Sequence, residues 1–370
     1  MAAIEAKTLP DLVYTSNYSL GALAEENAPK YAIPLDDVIN EIGKDDFYPA
    51  WLDLAKIEGK YYFVPFDAFV NLTHIIKPML EAVDIKEYPD SKGPLPRSWA
   101  DWDEFGKAYK KKFPDKFVFG LTLGPGAGDG SESWEMVWWP YGGGIMKAQG
   151  KQGVTFKSEA TYKTLELFKD WWDRGYFPKD AFSTDGFWNN NQYLTKTTPM
   201  IVEGPTPYYA AVLRNPELAG QTILTAPPSG PAGSPAWAAE YGISITKDSP
   251  NQDLAKSLII YLLKDKKDYT EGYVRPSFGG FSPIFKSVGE SLKGFSPVWK
   301  TIIEETLEKS VPATDSWPYN KPSKASSTIH WDWTYTTMLS KALLERKSID
   351  SVIDEANTHI LEVFERVYGK

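Results

Sequence analysis

The chain carries few of the side-chain sets that enzymes use for catalysis. Its three histidines, His74, His330 and His359, lie far apart, and neither a G-x-S-x-G nucleophile turn nor an H-E-x-x-H helix occurs. Cysteine is absent, which excludes thiol catalysis, disulfides and cysteine-based metal sites. These patterns argue against a histidine-based hydrolase, and we expect no catalytic residues, no metal site and no cofactor.

Paired carboxylates leave one enzymatic alternative open. Asp67 and Glu203 both lie among many aromatic residues, and two carboxylates across a sugar linkage are what a glycoside hydrolase requires. The sequence does not place the two across one bond, and most acidic residues in proteins are solvated surface groups. We therefore expect a protein that is not an enzyme, with a glycoside-active enzyme as the alternative.

A glycine-rich segment, GPGAGDG at residues 124–130, follows a predicted strand and precedes a predicted helix. Its spacing fits neither phosphate-binding motif, because Asp129 and Ser131 stand where glycine or Lys-Ser would be needed. The formal charge of −9 and the scattered basic residues also disfavour a phosphate-backbone partner. We predict a loop that lines a cleft, and no nucleic-acid partner.

Aromatic side chains are the strongest chemical signal. The chain has 14 tryptophans and 21 tyrosines, more than core packing alone usually needs. In WWPYGGGIM, Trp138 and Trp139 point about 100° apart on a helix, so they cannot both serve one core face. Trp134 lies one turn before Trp138. We predict that some tryptophans stack under sugar rings while Asn, Asp and Glu bond the hydroxyls.

Strands and helices alternate along the chain and predict an α/β fold with mostly parallel sheets. The 370 residues favour two domains. Pro65 divides GKYYFVPFDAFVNLTHII into two strands. In open sheets, ligands bind beyond the carboxyl ends of strands. The loops predicted to form the site are therefore residues 15–18, 67–71, 124–133, 203–208 and 236–241.

Nine short blocks, in this order, resemble the family 1 extracellular solute-binding proteins, the maltose-binding-protein-like sugar receptors of ABC importers. They are TLPDLVYTS, PLDDVI, GKYYFVPFDAFVNLTHIIKPMLEAVDI, PRSWADWDEF, WWPYGGGIM, VTFKSEATYKTLELFKDWWDRG, MIVEGP, TAPPSGPAG and GISITKDSPNQDLAKSLIIYLL. The resemblance runs through nearly the whole chain. It implies a type II periplasmic-binding-protein fold, in which hinge strands join two α/β lobes that close over a ligand without catalysis.

The resemblance also implies discontinuous domains. The first lobe would comprise residues 1–66 and 243–310, and the second lobe residues 71–240 and 311–370. The hinge would lie near residues 65–70 and 241–245.

Partners and location follow from the same resemblance. We expect a mono- or oligosaccharide ligand, delivery to the membrane subunits of an ABC permease, and a periplasmic or extracellular location. A binder of a non-sugar solute, such as a polyol or a peptide, is a further alternative.

The start of the chain departs from the family pattern. Family members begin with a strand and a helix ahead of the segment AAIEAKTLPD, and often with a signal peptide and a lipid-bearing cysteine; this chain shows none of these. We expect the first lobe to be incomplete at its N-terminus, with a separate N-terminal fragment as one way to complete it.

Site residues carry over from the family block by block. In the family pattern, the TSN segment supplies partners for sugar hydroxyls, and the DAFVN segment lines the hinge. Aromatic and polar contacts come from the tryptophan helix, the EGPTPYY turn, and the AWAAEYG and HWDWTY segments. In the last of these, the stacking aromatic residue is Trp333 or Trp331. The predicted ligand-binding residues are Ser16, Asn17, Asp67, Asn71, Ser133, Trp134, Trp138, Glu203, Tyr208, Trp237, Tyr241 and Trp333.

Overall fold

The computed structural model describes residues 8–16, 28–126, 128–183, 185–277, 279–308, 311–321 and 323–369. Of the predicted site residues, Asn17 lies outside these ranges. Within them the strands are β1 (Leu12–Ser16), β2 (Lys56–Ile57), β3 (Lys60–Tyr61), β4 (Val64–Val70), β5 (Leu72–Ile76), β6 (Met200–Glu203), β7 (Thr222–Thr225), β8 (Pro235–Ile245) and β9 (Val311–Ala313).

Helices fill the chain between the strands. The α-helices are α1 (Ala28–Tyr31), α2 (Asp36–Ile42), α3 (Pro49–Ala55), α4 (Lys77–Leu80), α5 (Trp99–Lys112), α6 (Asp129–Trp138), α7 (Glu159–Asp173), α8 (Trp188–Leu194), α9 (Thr206–Arg214), α10 (Pro216–Gly220), α11 (Gln252–Lys264), α12 (Lys266–Tyr269), α13 (Lys286–Leu292), α14 (Pro297–Thr301), α15 (Lys324–Trp331), α16 (Thr334–Leu343) and α17 (Ile349–Tyr368). Two π-helical segments, Thr270–Val274 and Ile302–Leu307, extend α12 and α14.

The sheets are mainly antiparallel, so the prediction of mostly parallel sheets was wrong. In the larger sheet β8 pairs antiparallel with both β1 and β4, and parallel with the short β9. In the second sheet β5 pairs antiparallel with β6 and β7. The physical reason is that β4 and β8 lie side by side and carry the chain in opposite directions between the same two parts of the molecule. Neighbouring strands that run in opposite directions pair antiparallel.

Buried apolar side chains form two large cores. The first core draws on residues 35–72, residues 238–303 and Leu224, and the second on residues 75–202, Trp237, Ala239 and residues 313–364. The chain therefore passes from one core to the other within β4–β5 and again within β8. The predicted hinge segments lie on β4 and β8, while the exact domain bounds stay a prediction.

Local sequence signals explain where α5 begins and where the short turn after α6 ends. Ser98 accepts a hydrogen bond from the backbone N–H of Asp101 and forms a capping box that begins α5. A left-handed Gly142, with φ of 87°, ends the short 3₁₀ turn that follows α6. In the part of the chain that the structure describes, no helix combines the length and apolarity needed to cross a membrane.

Candidate functional site

Strand register brings several predicted residues together where the chain crosses between the two cores. Tyr241 on β8 lies opposite Ser16 on β1 and opposite Asp67 on β4. Asn71 follows β4 directly, and its backbone N–H donates to the Trp237 carbonyl, 3.1 Å away. The next residue, Leu72, pairs with Glu203 on β6. Five of the predicted polar and aromatic residues, together with Trp237, therefore meet at one junction.

An aromatic cluster, formed by Tyr14, Phe66, Tyr241, Tyr273 and Phe281, surrounds Asp67 on the side of the first core. The hydroxyls of Tyr14 and Tyr273 both donate to Oδ2 of Asp67, at 2.7 and 2.6 Å. Tyr14 stacks on Tyr241 with ring centroids 5.8 Å apart, and Tyr273 stacks on Phe281 at 5.1 Å. Two phenols therefore fix the orientation of one buried carboxylate.

Burial shapes the titration of Asp67 and of its neighbour on β8. Burial raises the pKa of the Asp67 carboxyl, and the hydroxyls of Tyr273 and Tyr14 partly offset that rise. Glu240, fully buried on the adjacent strand, has its pKa raised well above the usual range by burial and then by the charge of Asp67. The two carboxyls therefore disfavour each other's ionised form.

An acidic cluster, formed by Asp129, Glu132 and Glu203, lies on the side of the second core. Nδ2 of Asn71 donates to Oε2 of Glu132 at 3.1 Å, and Nδ2 of Asn189 donates to Oε2 of Glu203 at 2.5 Å. Asp129 and Glu132 occupy the first turn of α6, where the helix dipole favours negative charge. The acidic cluster thus joins the start of α6 to the end of β6.

Burial raises the pKa values within the acidic cluster, and repulsion between its members raises those of Glu132 and Glu203 further. Burial, followed by the charge of Asp129, raises the pKa of Glu203 to about 8. Burial raises the pKa of Asp129 to about 6. Glu132 has its pKa raised well above the usual range by burial and then by Asp129 and Glu203. Near neutral pH the three carboxyls are therefore not all ionised together.

A buried ion pair borders the acidic cluster. Nδ1 of His330 lies 3.3 Å from Oε2 of Glu135, and both side chains are buried. Burial lowers the pKa of His330, but the Glu135 carboxylate outweighs that effect and the net pKa is raised. Trp237 stacks on the His330 ring at a centroid distance of 6.3 Å. The next residue, Trp331, is half exposed and lies against Gly128, just before α6.

The tryptophans of α6 are core residues, whereas the sequence predicted that Trp134 and Trp138 contact the ligand. Trp134 and Trp138 are both fully buried. Trp134 stacks on Phe168 of α7 at 5.8 Å, and Nε1 of Trp138 donates to Oγ1 of Thr161 at 2.9 Å. The reason is that β8, α7 and α16 enclose α6, which is buried from Gly130 to Trp138. Side chains on more than one face of the helix are therefore core residues.

The remaining predicted residues have defined places, while their contacts with a ligand stay predictions. Ser133 is buried within α6, and Tyr208 is half-buried in α9, against the first core. Trp333 precedes α16 with a left-handed backbone, φ of 65°, and its ring lies 6.1 Å from Trp331.

Several residues of the junction were not predicted. Glu132 and Asn189 bond directly to the predicted Asn71 and Glu203. A signal for Glu132 existed, since it follows Asp129 by three residues and so shares the first turn of α6. No signal in the sequence pointed to Tyr273, because it lies on a π-helical segment 206 residues from Asp67.

A separate cavity of about 250 Å³ lies between α16 and α17. Its charged groups satisfy one another: Nε2 of His359 lies 2.6 Å from Oδ2 of Asp332, and Lys341 pairs with Glu355. The junction between the cores differs because buried acceptors there, Oδ1 of Asn71 and Oδ1 of Asp67, have no donor among the described residues. The junction is therefore the stronger candidate for a ligand site.

Solved structures with this architecture are sugar-binding and transport proteins. The chain is similar to the sugar-binding protein MalE from Xanthomonas citri, with 18% identity, a TM-score of 0.78, and coverage of 99% of this chain and 86% of that one. It is similar to a sugar transporter from Arthrobacter chlorophenolicus A6 with bound laminaribiose, with 18% identity, a TM-score of 0.77, and coverage of 98% and 87%.

A third similar structure is the GacH receptor of Streptomyces glaucescens, solved unliganded and with acarbose, with 17% identity, a TM-score of 0.75, and coverage of 98% and 86%. At these identities the likeness shows the fold, and it confirms the predicted type II periplasmic-binding-protein architecture. Among curated proteins no sequence matches this chain. The sequence profile described as bacterial extracellular solute-binding protein matches residues 2–268. The chain therefore belongs to the bacterial extracellular solute-binding protein family.

Proposed function

We propose that this protein is an extracytoplasmic carbohydrate receptor that binds an oligosaccharide between two lobes and delivers it to the membrane subunits of an ABC importer. The lobes are the predicted ones, each built around one of the two cores, and β4 and β8 are the strands about which they close. Contacts that form only in the closed state would drive that closure.

One observation carries the proposal: buried oxygen acceptors and partly exposed aromatic rings converge where the two cores meet. Asp67, Asn71 and Glu203 supply acceptors for sugar hydroxyls. Tyr14 and Trp331, exposed by 49% and 48%, supply flat apolar surfaces. Sugar rings present C–H faces and a rim of hydroxyls, so they need this combination.

Similar proteins support the ligand class. The structures with the same fold include the laminaribiose-bound transporter of Arthrobacter chlorophenolicus and a maltose-bound MalE3 of T. maritima. Both ligands are neutral disaccharides. A site that spans two aromatic surfaces, one on each side of the junction, suits a ligand of at least two rings.

A thermal-shift screen against glucose, maltose and laminaribiose tests the proposal, with each sugar recovered and analysed afterwards. We expect a rise in melting temperature for a disaccharide, which corresponds to about 2.7 kcal/mol at a ligand concentration of 100 times Kd. The sugar should be recovered intact. Breakdown of the sugar would show the glycoside-active alternative, and tight binding of a peptide with no response to any sugar or polyol would also refute the proposal.

A matched pair of variants locates the site. Trp331→Ala should weaken sugar binding by about 1 to 2 kcal/mol, because a stacking surface at the junction is lost. Tyr261→Ala removes an even more exposed aromatic ring, on α11 of the first core. It should leave the affinity unchanged. Equal losses in both variants, measured by calorimetry, would show that Trp331 does not contact the ligand.

A further inference from the structure

We infer that the acidic cluster binds a protonated amine, so that the preferred ligand is a saccharide bearing a cationic nitrogen, such as an amino sugar. This inference rests on the proposed function, because it names the class of carbohydrate that the same junction would take. It concerns Asp129, Glu132 and Glu203 and the amides that hold them.

The acidic cluster holds three carboxyls whose ionised forms are costly in the free protein. Burial raises the pKa of all three carboxyls, and repulsion from other members of the cluster adds to that rise for Glu132 and Glu203. In the described part of the chain, no lysine or arginine forms an ion pair with any of them. The charge of His330 lowers the pKa of Asp129, but this imidazole is shared with Glu135, whose Oε2 lies 3.3 Å from its Nδ1. Buried carboxylates without a counter-charge are costly, so a cationic ligand would relieve a cost that the protein alone leaves in place.

Other titratable groups around the junction do not change this balance. Asp67 and Glu240 face it from β4 and β8, and both are acids. Burial, and then the charges of Asp67 and Glu132, raise the pKa of the Tyr241 hydroxyl, so this member of the aromatic cluster senses acids on both sides of the junction. Among the described residues, these groups therefore add no positive charge to the junction.

A second observation, independent of charge, points to a donor-rich ligand. Asn71 is fully buried, and its Nδ2 donates to Glu132, which fixes the direction of the amide. Its Oδ1 atom has no donor among the described residues. Oδ1 of Asp67 likewise has no donor among the described residues. Buried polar atoms are rarely left unpaired, so acceptors aimed into the junction require donors from a ligand.

An ammonium group meets both requirements at once. It presents three N–H donors and no acceptor, whereas a sugar hydroxyl presents one donor and carries no charge. A neutral sugar could satisfy the Asn71 acceptor, but the repulsion among Asp129, Glu132 and Glu203 would remain. The half-exposed indole of Trp331, beside Gly128 at the start of α6, offers the same ligand a surface for cation–π contact or stacking.

The test is calorimetric titration of the full chain, near pH 6, with three trisaccharides. These are chitotriose with free amines, its fully N-acetylated form, and maltotriose. The first two share one skeleton and differ in the charge on nitrogen. We expect the amine form to bind at least about tenfold more tightly than the acetylated form. Binding should also release protons, measured in buffers of different ionisation enthalpy, because Glu203, with a pKa of about 8, is mostly protonated in the free protein at this pH.

A matched pair of variants assigns the preference to the acidic cluster. Glu132→Gln keeps an oxygen that can accept from Asn71 but removes a carboxyl that can ionise when an ammonium group binds, and we expect it to reduce the tenfold preference to about threefold or less. Glu271→Gln neutralises an exposed carboxylate that pairs with Arg275, and should leave the preference unchanged. If Glu132→Gln failed to fold, the comparison of the amine and acetylated sugars on the unaltered protein would still decide the matter.

The outcomes separate the two proposals. Equal or weaker binding of the amine form, with measurable binding of a neutral sugar, would overturn the inference and leave the carbohydrate-receptor proposal standing. Failure of every saccharide to bind would overturn the receptor proposal, and the inference with it. Tight binding of the amine form without proton release would show that the acidic cluster is not the amine site, and would likewise refute the inference.

Discussion

The two sides of the junction hold buried carboxylates in opposite ways. Asp67, in the aromatic cluster, receives two short hydrogen bonds from phenols that are themselves positioned by ring stacking. In the acidic cluster, Glu132 accepts one hydrogen bond from the Asn71 amide, and Glu203 accepts one from the Asn189 amide and one from the backbone N–H of Gly204; both also interact with other carboxyls. The difference teaches that burial alone does not define a carboxylate's role: two phenols orient Asp67 through one of its oxygens, whereas burial and then neighbouring carboxyls raise the pKa of Glu132 and of Glu203.

Physical consequences follow for stability and for binding. Removing a carboxylate that accepts two hydrogen bonds leaves both donors unpaired, even where burial raises its pKa. A carboxylate raised in pKa by like charges destabilises the folded state whenever it is ionised. Substitutions on the two sides should therefore change stability with opposite signs.

The largest expected effect is a loss of stability in Asp67→Ala. Removing this carboxylate leaves the hydroxyls of Tyr14 and Tyr273 without their acceptor and opens a void among packed rings, at a cost of about 2 to 3 kcal/mol in the free energy of unfolding. Urea denaturation measures it. Asp53→Ala, at an exposed position of α3, is the control and should change stability by less than about 0.5 kcal/mol. If Asp67→Ala lowered the free energy of unfolding no more than Asp53→Ala, the proposed difference between the two sides of the junction would be wrong.

A gain of stability is expected in Glu132→Gln at about pH 8. The folded pKa of Glu132 lies above its unfolded value, so the folded state binds more protons and wild-type stability falls as the pH rises above the unfolded pKa of about 4.5. Glutamine removes this cost and should add about 1 to 3 kcal/mol at pH 8. Near pH 4.5 the gain should vanish. Melting curves at both pH values test the sign, and destabilisation at pH 8 would mean that the ionised carboxylate is satisfied after all.

The smallest expected effect is in Tyr273→Phe. It removes one hydroxyl from Asp67 but keeps the ring that stacks on Phe281, so we expect a loss of about 0.5 to 1.5 kcal/mol. Tyr261→Phe, at an exposed position of α11, controls for loss of a phenol in general. Urea denaturation of both variants would sharpen the comparison by separating the hydrogen bond from the packing of the ring. No difference between them would mean that Tyr273 contributes only its ring.

Part of the junction could be predicted because neighbouring strands carry it. Asp67, Asn71, Glu203 and Tyr241 lie at or beside strand ends, and strand register then places them together. The rest could not be predicted because its partners come from distant helices. Glu132 meets Asn71 across 61 residues of sequence, and Tyr273 meets Asp67 across 206. The spacing of residues along the chain does not indicate such contacts.

The sequence by itself determined the alternating elements, the two-core division and, through the order of nine blocks, the solute-binding family. Only the tertiary structure decided which tryptophans are buried and which carboxylates meet. Trp134, Trp138 and Trp139 are all buried because α6 is enclosed on several sides, and helical periodicity cannot distinguish an enclosed helix from one that borders a cleft. The acidic cluster exists because the start of α6 packs against the end of β6, and a pKa depends on distances in space, not on spacing in the chain.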